Sequence, residues 1–441
     1  MSSQKGIIKD KENKKMKNKA FETNCVHGNY IPGNAEPQVL PIIQSTVSRY
    51  YNTEDLAALF NLDSADHMYT RISNPTVDKL EQKMAMLEGG SAAIAASSGQ
   101  AATMMAIMNV ASAGDHVLSS SSLYGGTYNL LAVTLAKFGI NFSFFDQELS
   151  ADEILSLAKP ETKAVFLETL ANPALQVLDF EKYSAIAKKL GVPLIVDNTL
   201  ATPALCRPFE YGADIVTHSL TKYADGHASA VGGIVIESGK FDWTASDKFP
   251  GMTNPDASYH GIKFNEKFGD MAYSVKMRGH LLRDIGCTMA PLNAYLIHQG
   301  LQTLHLRMER HCENALKLAE FLQTHNMVDW IRYPGLKQDK YYELSKKYMP
   351  GGAGGVITFG VKGGRKASEK VMESLKLTGL VVHVGDVRTC VLHPASTSHR
   401  QLSDEAQRQA GIKPELIRIS VGIENIEDIK EDFDIALNNT K

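Results

Sequence analysis

The sequence predicts an α/β fold in which a largely parallel sheet is covered by helices and followed by a smaller α+β domain. Three observations predict it. The 441 residues exceed one ordinary core and suffice for two or three domains. Between about residues 74 and 240, short β-rich runs alternate with helical patterns, the arrangement that builds parallel sheets through crossover connections. Beyond about residue 285 the alternation gives way to a long helical pattern and then strand-like runs, which suits a closing α+β domain.

Taken in order, residues 1–19 are rich in Lys, Glu, Asn and Ser, lack the apolar core of a signal peptide, and read as a flexible, solvated tail. Residues 20–73 carry Pro, Gly and Asn punctuation without long periodicity and read as an extended N-terminal arm. A boundary falls at Asn74-Pro75, after which Val77, Leu80, Met84 and Leu87 share one helical face. Residues 116–119, 140–145, 164–167, 194–197 and 214–217 read as strands, and Phe180, Tyr183, Ile186, Ala187 and Leu190 set a helix over 180–190. The stretch 241–285 is punctuated by Gly, Pro and Asp and reads as an insertion over the site, inside a 74–285 domain. A helical pattern over 291–325, a turn at Tyr333-Pro-Gly335 and strands at 355–359 and 416–421 make up an α+β domain over 286–441.

Composition narrows the function classes. Hydrophobic residues at 44% and charged residues at 22% describe a globular chain, and a net charge of −3 supplies no field for nucleic acid. No apolar run reaches the roughly 18 residues needed to cross a bilayer, so no membrane partner is expected. The five cysteines, Cys25, Cys206, Cys287, Cys312 and Cys390, are scattered and without Cys-x-x-Cys spacing. That points to a reducing cytoplasm, with neither a disulfide framework nor a structural metal site.

The chemistry centres on Lys222, which follows Ser219-Leu-Thr and precedes a run with Gly226, Gly232 and Gly233. Upstream, Asp197 ends the apolar run Val192-Pro-Leu-Ile-Val. A Lys for a Schiff base, neighbouring hydroxyls for a phosphate and a carboxylate for a pyridinium nitrogen are together what pyridoxal phosphate requires. Alone, a Lys is a surface charge and an Asp at a strand end caps a turn. Ser219-Leu-Thr-Lys222 also fits the Ser-x-x-Lys nucleophile of serine β-lactamases, but the accompanying Ser-Asp-Asn and Lys-Thr-Gly are missing. Ser97-Ser-Gly-Gln100 reads as a tight turn entering a helix whose free N–H groups suit a phosphate, or simply as a Ser cap. Tyr124, in Ser122-Leu-Tyr-Gly-Gly-Thr127, follows a strand, where it suits stacking on a cofactor ring and sharing proton transfer, or half-burial in a loop. Arg418 alternates with Ile417 and Ile419 on a strand and suits a bidentate grip on a carboxylate, or else is a solvated charge.

Beyond about residue 20, these residues resemble the Cys/Met-metabolism family of pyridoxal phosphate enzymes, the γ-family of fold type I. Tyr69-Thr-Arg-Ile-Ser-Asn-Pro-Thr76, Ser98-Gly-Gln-Ala101, Tyr124-Gly-Gly-Thr127, Glu168-Thr-Leu-Ala-Asn-Pro173, Val196-Asp-Asn-Thr199, Ser219-Leu-Thr-Lys222, His393-Pro-Ala-Ser396 and Arg418-Ile-Ser-Val-Gly422 occur in the family's order. The resemblance implies a central sheet of the seven-stranded type and a homotetramer of two tight dimers. Tyr69 and Arg71 would reach a neighbouring subunit's cofactor phosphate, joined there by Gly99, Gln100, Ser219 and Thr221. Asn172 would contact the cofactor's phenolic oxygen, Tyr124 would stack on the ring, Asp197 would hold its nitrogen and Lys222 would bond it covalently. Arg418 would bind the substrate carboxylate, with Tyr69 and His383 beside it. His383, in His-Val-Gly-Asp386, departs from the family pattern, where a small polar residue is expected. Ser98-Gly-Gln-Ala-Ala102 and the insertion from Ser238 through Gly261 favour the branch that replaces the γ-acetoxy group of O-acetylhomoserine with sulfide or methanethiol. Tyr223 is equally at home in γ-lyases, and O-succinylhomoserine or cystathionine chemistry and a silent assembly protein on the same fold are further alternatives.

Overall fold

The computed structural model describes residues 19–397, 400 and 411–439, so the expected tail, apart from Lys19, lies outside the described residues. Seven strands form the central sheet: β1 (Ala92–Ala96), β2 (His116–Ser120), β3 (Asn141–Phe145), β4 (Thr162–Glu168), β5 (Leu194–Asp197), β6 (Ile215–Ser219) and β7 (Gly233–Glu237), in the order β1-β7-β6-β5-β4-β2-β3. The five strands expected between residues 116 and 217 are thus present. β1 and β7 were not anticipated.

The chain divides into two compact units. The first comprises the described part of Met1–Val110 together with Asp214–Thr221 and Ser229–His305. Its helix Pro75–Glu88 starts where expected: the Asn74 side chain accepts the Thr76 N–H at 2.9 Å, and Pro75 needs no donor at the first helical position. Gly89 ends it in the left-handed region, φ +81°. Val77, Leu80, Met84 and Leu87 are buried on one face. β7 runs antiparallel to both β1 and β6, so this part of the sheet is not parallel. The 241–285 stretch contains short helices, among them Pro250–Thr253, Phe264–Phe268 and Ala272–Met277, each too brief to register as periodicity. Aromatic packing holds it in place. Trp243 stacks on Tyr273 with centroids 5.7 Å apart, and the Tyr273 hydroxyl donates to the Ala106 carbonyl at 2.8 Å.

The second unit comprises Ala111–Ala213, Lys222–Ala228 and Leu306–Lys441. Here β5, β4, β2 and β3 pair in parallel. β4 has six of its seven residues buried, the pattern of a strand covered on both faces. The helix Phe180–Leu190 buries Phe180, Tyr183, Ile186 and Ala187, as its spacing predicts. A second, five-stranded sheet is built from β8 (Val328–Arg332), β9 (Val356–Val361), β10 (Gly379–Leu380), β11 (Cys390–Leu392) and β12 (Leu416–Ser420), in the order β10-β11-β12-β9-β8. Ile417 and Ile419 of β12 join Leu318, Leu322, Phe359 and Phe433 in the core of this unit. The helical pattern over 291–325 is not continuous. It divides at Thr303, φ −108° and ψ 10°, into Pro291–Gln302 and Leu304–Thr324.

Candidate active site

In the first unit, a turn and two strand ends come unusually close. Ser98 caps the helix Gly99–Met108 by accepting the Ala101 N–H at 3.1 Å. A Cβ added to Gly99 would stand 2.6 Å from Ser219 Cβ, and one on Gly233 would stand 2.0 Å from the Ser98 carbonyl oxygen. Only glycine permits that approach, which sets the N–H groups of the helix start beside the Ser219 hydroxyl. Gln100 belongs to the same helical turn. The Thr221 hydroxyl accepts the Gly232 N–H at 3.1 Å and donates to the Gly232 carbonyl at 3.2 Å, which fixes the loop leading to Lys222. Tyr69 and Arg71 line a cavity of about 300 Å³ with Gln44, Ser45, Thr46 and Thr288. The Arg71 guanidinium lies over the Tyr69 ring, 5.2 Å from its centroid, and donates to the Arg283 carbonyl.

The second unit gathers the groups suited to proton transfer and carboxylate binding. Burial, with the Arg418 charge adding, pulls the Lys222 amine down to about 8. Its Nζ lies 3.5 Å from His383 Nδ1. Arg418 is 4% exposed, so it is not the solvated strand charge of the plainer reading. Its guanidinium donates to the His383 carbonyl at 2.9 Å and to Asn172 Oδ1 at 3.3 Å. Asp197 ends β5, and its Oδ1 accepts the Thr199 N–H at 2.9 Å, so it caps a turn as well. Tyr124 precedes the helix Gly125–Asn129 and is 40% exposed.

Glu168 is the group to which the sequence reading gave no role. It ends β4 directly across from Asp197 in the parallel register. One carboxylate oxygen accepts the Tyr124 N–H at 2.8 Å and the other accepts the Asn172 N–H at 3.2 Å. Burial, then the facing Asp197, pushes its carboxyl up to about 8, against the Tyr124 and Asn172 N–H groups, which favour the ionised form. Its one sequence signal was the position of an acid at a strand end just before Thr-Leu-Ala-Asn-Pro. Tyr223 is fully buried, with its ring edge-on to His311 at 5.1 Å, so it is a packing residue.

Over residues 22–438 the chain matches the profile of the family described as "Cys/Met metabolism PLP-dependent enzyme". The chain belongs to that family. It is therefore a pyridoxal phosphate enzyme, and the sequence-based recognition of family, cofactor and fold class holds. Among its relatives are an O-acetyl-L-homoserine sulfhydrylase of Leptospira meyeri, 45% identical over 95% of this chain and 96% of the relative, and a homocysteine synthase of Schizosaccharomyces pombe, 44% identical over 95% and 98%. A crystal structure from Campylobacter jejuni, named as an O-acetylhomoserine (thiol)-lyase and holding an N'-pyridoxyl-lysine-5'-monophosphate, superposes with a TM-score of 0.93. That pair is 38% identical and covers 95% of this chain and all of the other.

The residues fit the family's cofactor. The glycine-tight turn at Gly99 leaves backbone donors for a phosphate, and Lys222 has an amine of lowered basicity. Arg418 Nε and His383 Nε2 are buried and without a protein acceptor. Among the described residues no cluster of His, Cys, Asp and Glu is arranged to hold a metal ion, and no helix is long and apolar enough to cross a membrane.

Proposed function

We propose that this protein replaces the γ-acetoxy group of O-acetyl-L-homoserine with sulfide or methanethiol, giving L-homocysteine or L-methionine plus acetate. The observation that carries this reading is near-full-length similarity, at 44–45% identity, to proteins named O-acetyl-L-homoserine sulfhydrylase and homocysteine synthase.

Bound pyridoxal phosphate supplies the electron-withdrawing ring that makes the substrate's α-carbon acidic. Each protein group then has one task. Ser219, Thr221, Gly99 and Gln100 would hold the phosphate, and Asn172 would face the phenolic oxygen. Asp197 would keep the ring nitrogen protonated while Tyr124 stacks on the ring. Lys222 would bond the cofactor in the resting enzyme. Once the substrate amine has displaced it, Nζ would take the α-proton, and Nζ or the Tyr124 hydroxyl would move the β-proton as acetate leaves the γ-carbon. An amine of lowered basicity, half free at about pH 8, keeps a usable free fraction near neutral pH, which suits a base that must also give its proton back. Arg418, with Tyr69 and His383 beside it, would hold the substrate, and orientation in a dry site accounts for much of the rate.

We read the assembly as a cytoplasmic homotetramer, a dimer of dimers, in which the arm 20–73 brings Tyr69 and Arg71 to a neighbouring subunit's site. Tyr69 is 39% exposed, and Ile42, Ile43, Val47, Tyr51 and Phe60 of the arm are exposed apolar side chains that such a contact would cover.

The test is product formation by cofactor-loaded protein given O-acetylhomoserine with and without sulfide, following acetate, homocysteine and 2-oxobutyrate together. Sulfide-dependent homocysteine with little oxo acid is expected, and Lys222→Ala should abolish it. Oxo acid and ammonia dominating in the presence of sulfide would make the protein a γ-lyase instead.

A further inference from the structure

The chain after Lys222 makes one turn and stops: the Gly226 N–H donates to the Lys222 carbonyl at 2.8 Å, and no helix follows before β7. A turn that does not continue leaves its last carbonyls without helical donors. Arg307 supplies them from the helix Leu304–Thr324. Its Nη1 donates to the Tyr223 carbonyl at 2.6 Å, and its Nη2 reaches the Ala224 carbonyl at 3.5 Å. Gly226 makes room for the guanidinium: at φ +74°, a Cβ on that residue would overlap Arg307 Nη1. Arg307 is 4% exposed. A buried cation gives up its hydration, so it is a costly way to brace a loop, and this one braces the loop that carries the reacting amine.

The same helix face holds a second backbone. Residues 307, 311 and 314 recur at helical spacing. The His311 Nδ1–H donates to the Val421 carbonyl at 2.7 Å, and the Asn314 amide donates to the Gly422 and Glu424 carbonyls at 3.1 and 2.9 Å. Val421 and Gly422 directly follow β12, the strand that carries Arg418. Further along the helix, Ala315, Leu318, Ala319 and Leu322 lie in the core of this unit, which anchors it. One anchored helix thus grips both the turn that opens at Lys222 and the chain that leaves Arg418.

We propose that Arg307 is a positioning residue for Lys222: by filling the turn that Lys222 opens, it sets where Nζ stands relative to the α-carbon of the substrate. This rests on the proposed function only in taking Lys222 Nζ as the base for the α-proton, and it holds whether the γ-group is replaced or eliminated. A misplaced base slows proton transfer far more than it weakens binding. Displacement by about 1 Å costs on the order of a hundred-fold in rate, while the contacts that hold the bound amino acid remain.

The test uses the cofactor-loaded enzyme and L-2-aminobutyrate, an amino acid with an α-proton and no γ-leaving group. Two quantities are read on the same samples: its dissociation constant, from the absorbance change of the bound cofactor, and the exchange of its α-proton in heavy water, by NMR. In Arg307→Met, exchange should slow about ten- to a hundred-fold while the dissociation constant changes less than about three-fold. Arg307→Lys keeps the charge but lacks the planar fork that spans two carbonyls, so its exchange should fall between the two. Exchange at the wild-type rate in Arg307→Met, or in Arg307→Lys where Arg307→Met does not fold, overturns the proposal. Binding that weakens in step with exchange also overturns it, because the whole site would then have collapsed. No exchange in the wild-type enzyme would remove Lys222 as the α-proton base and this proposal with it. Loss of sulfide-dependent product with exchange intact would remove the sulfhydrylase reading alone.

Discussion

Glu168 accepts two backbone N–H groups with its two carboxyl oxygens, and those groups belong to Tyr124 and Asn172, both proposed above to contact the cofactor. A side chain of the same size that cannot accept twice should therefore misplace one of them. In Glu168→Gln the amide nitrogen would face an N–H, leaving a buried donor unmatched at a cost of about 1–3 kcal/mol. The expected outcome is a folded enzyme whose kcat/KM falls roughly ten- to a hundred-fold, checked by steady-state kinetics beside circular dichroism. Wild-type kinetics in this variant would show that Glu168 serves only to end β4. At this scale the sequence exposed types but not contacts. Lys222, Asp197 and Arg418 stood out because each chemistry needs its residue type. The contact between Lys222 and His383 joins residues 161 positions apart, and only the tertiary fold creates it.

The glycine-tight turn depends on two elements meeting, the start of the helix Gly99–Met108 and the end of β6. In Gly99→Ala the added carbon would press on Ser219 Cβ at 2.6 Å and Cα at 2.8 Å, and the latter is backbone that cannot rotate away. Overpacking of this kind costs about 1–3 kcal/mol and should lift the helix start off the strand. Affinity for pyridoxal phosphate is expected to fall at least about ten-fold by equilibrium dialysis, with a lowered Tm. Unchanged affinity would mean that the phosphate is held elsewhere. The elements themselves were legible to unequal degrees. β4 and β5 announced themselves through the buried apolar runs Ala164-Val-Phe-Leu167 and Leu194-Ile-Val196, and the half-exposed β3 through its three phenylalanines. β1, Ala-Ala-Ile-Ala-Ala, carries residues of low strand propensity and is a strand because it pairs with β7. The break at Thr303 has neither proline nor glycine at its position and left no mark in the helical pattern.

Across the whole molecule, buried ionisable groups pull stability in opposite directions with pH. Burial raises the Glu237 carboxyl to about 7, so the folded state keeps a proton that the unfolded chain has lost, and that contribution fades as pH rises from the unfolded value of about 4.5 towards 7. The buried histidines act the other way. His311 is lowered to about 4 and His298 to about 3, each chiefly by burial. For such a group the stabilisation is complete above the unfolded value of about 6.5 and is lost as pH falls towards the folded value, because the unfolded chain binds a proton that the folded one refuses. His298 is the sharper case: it is 2% exposed, neither ring nitrogen has a hydrogen-bond partner, and the charge on nearby Lys83 opposes its protonation. Total stability mixes these opposing trends, but a difference between two proteins isolates one of them. In His298→Leu the unfolded chain no longer gains that proton. Relative to wild type, the variant should therefore gain about 1.4 kcal/mol for each pH unit below 6.5, and nothing above it. Urea unfolding of both proteins at pH 7.5, 6.5, 5.5 and 4.5 measures the difference. A stability gap that stays constant from pH 6.5 to 4.5 would mean that His298 takes up its proton in the folded protein as readily as in the unfolded chain.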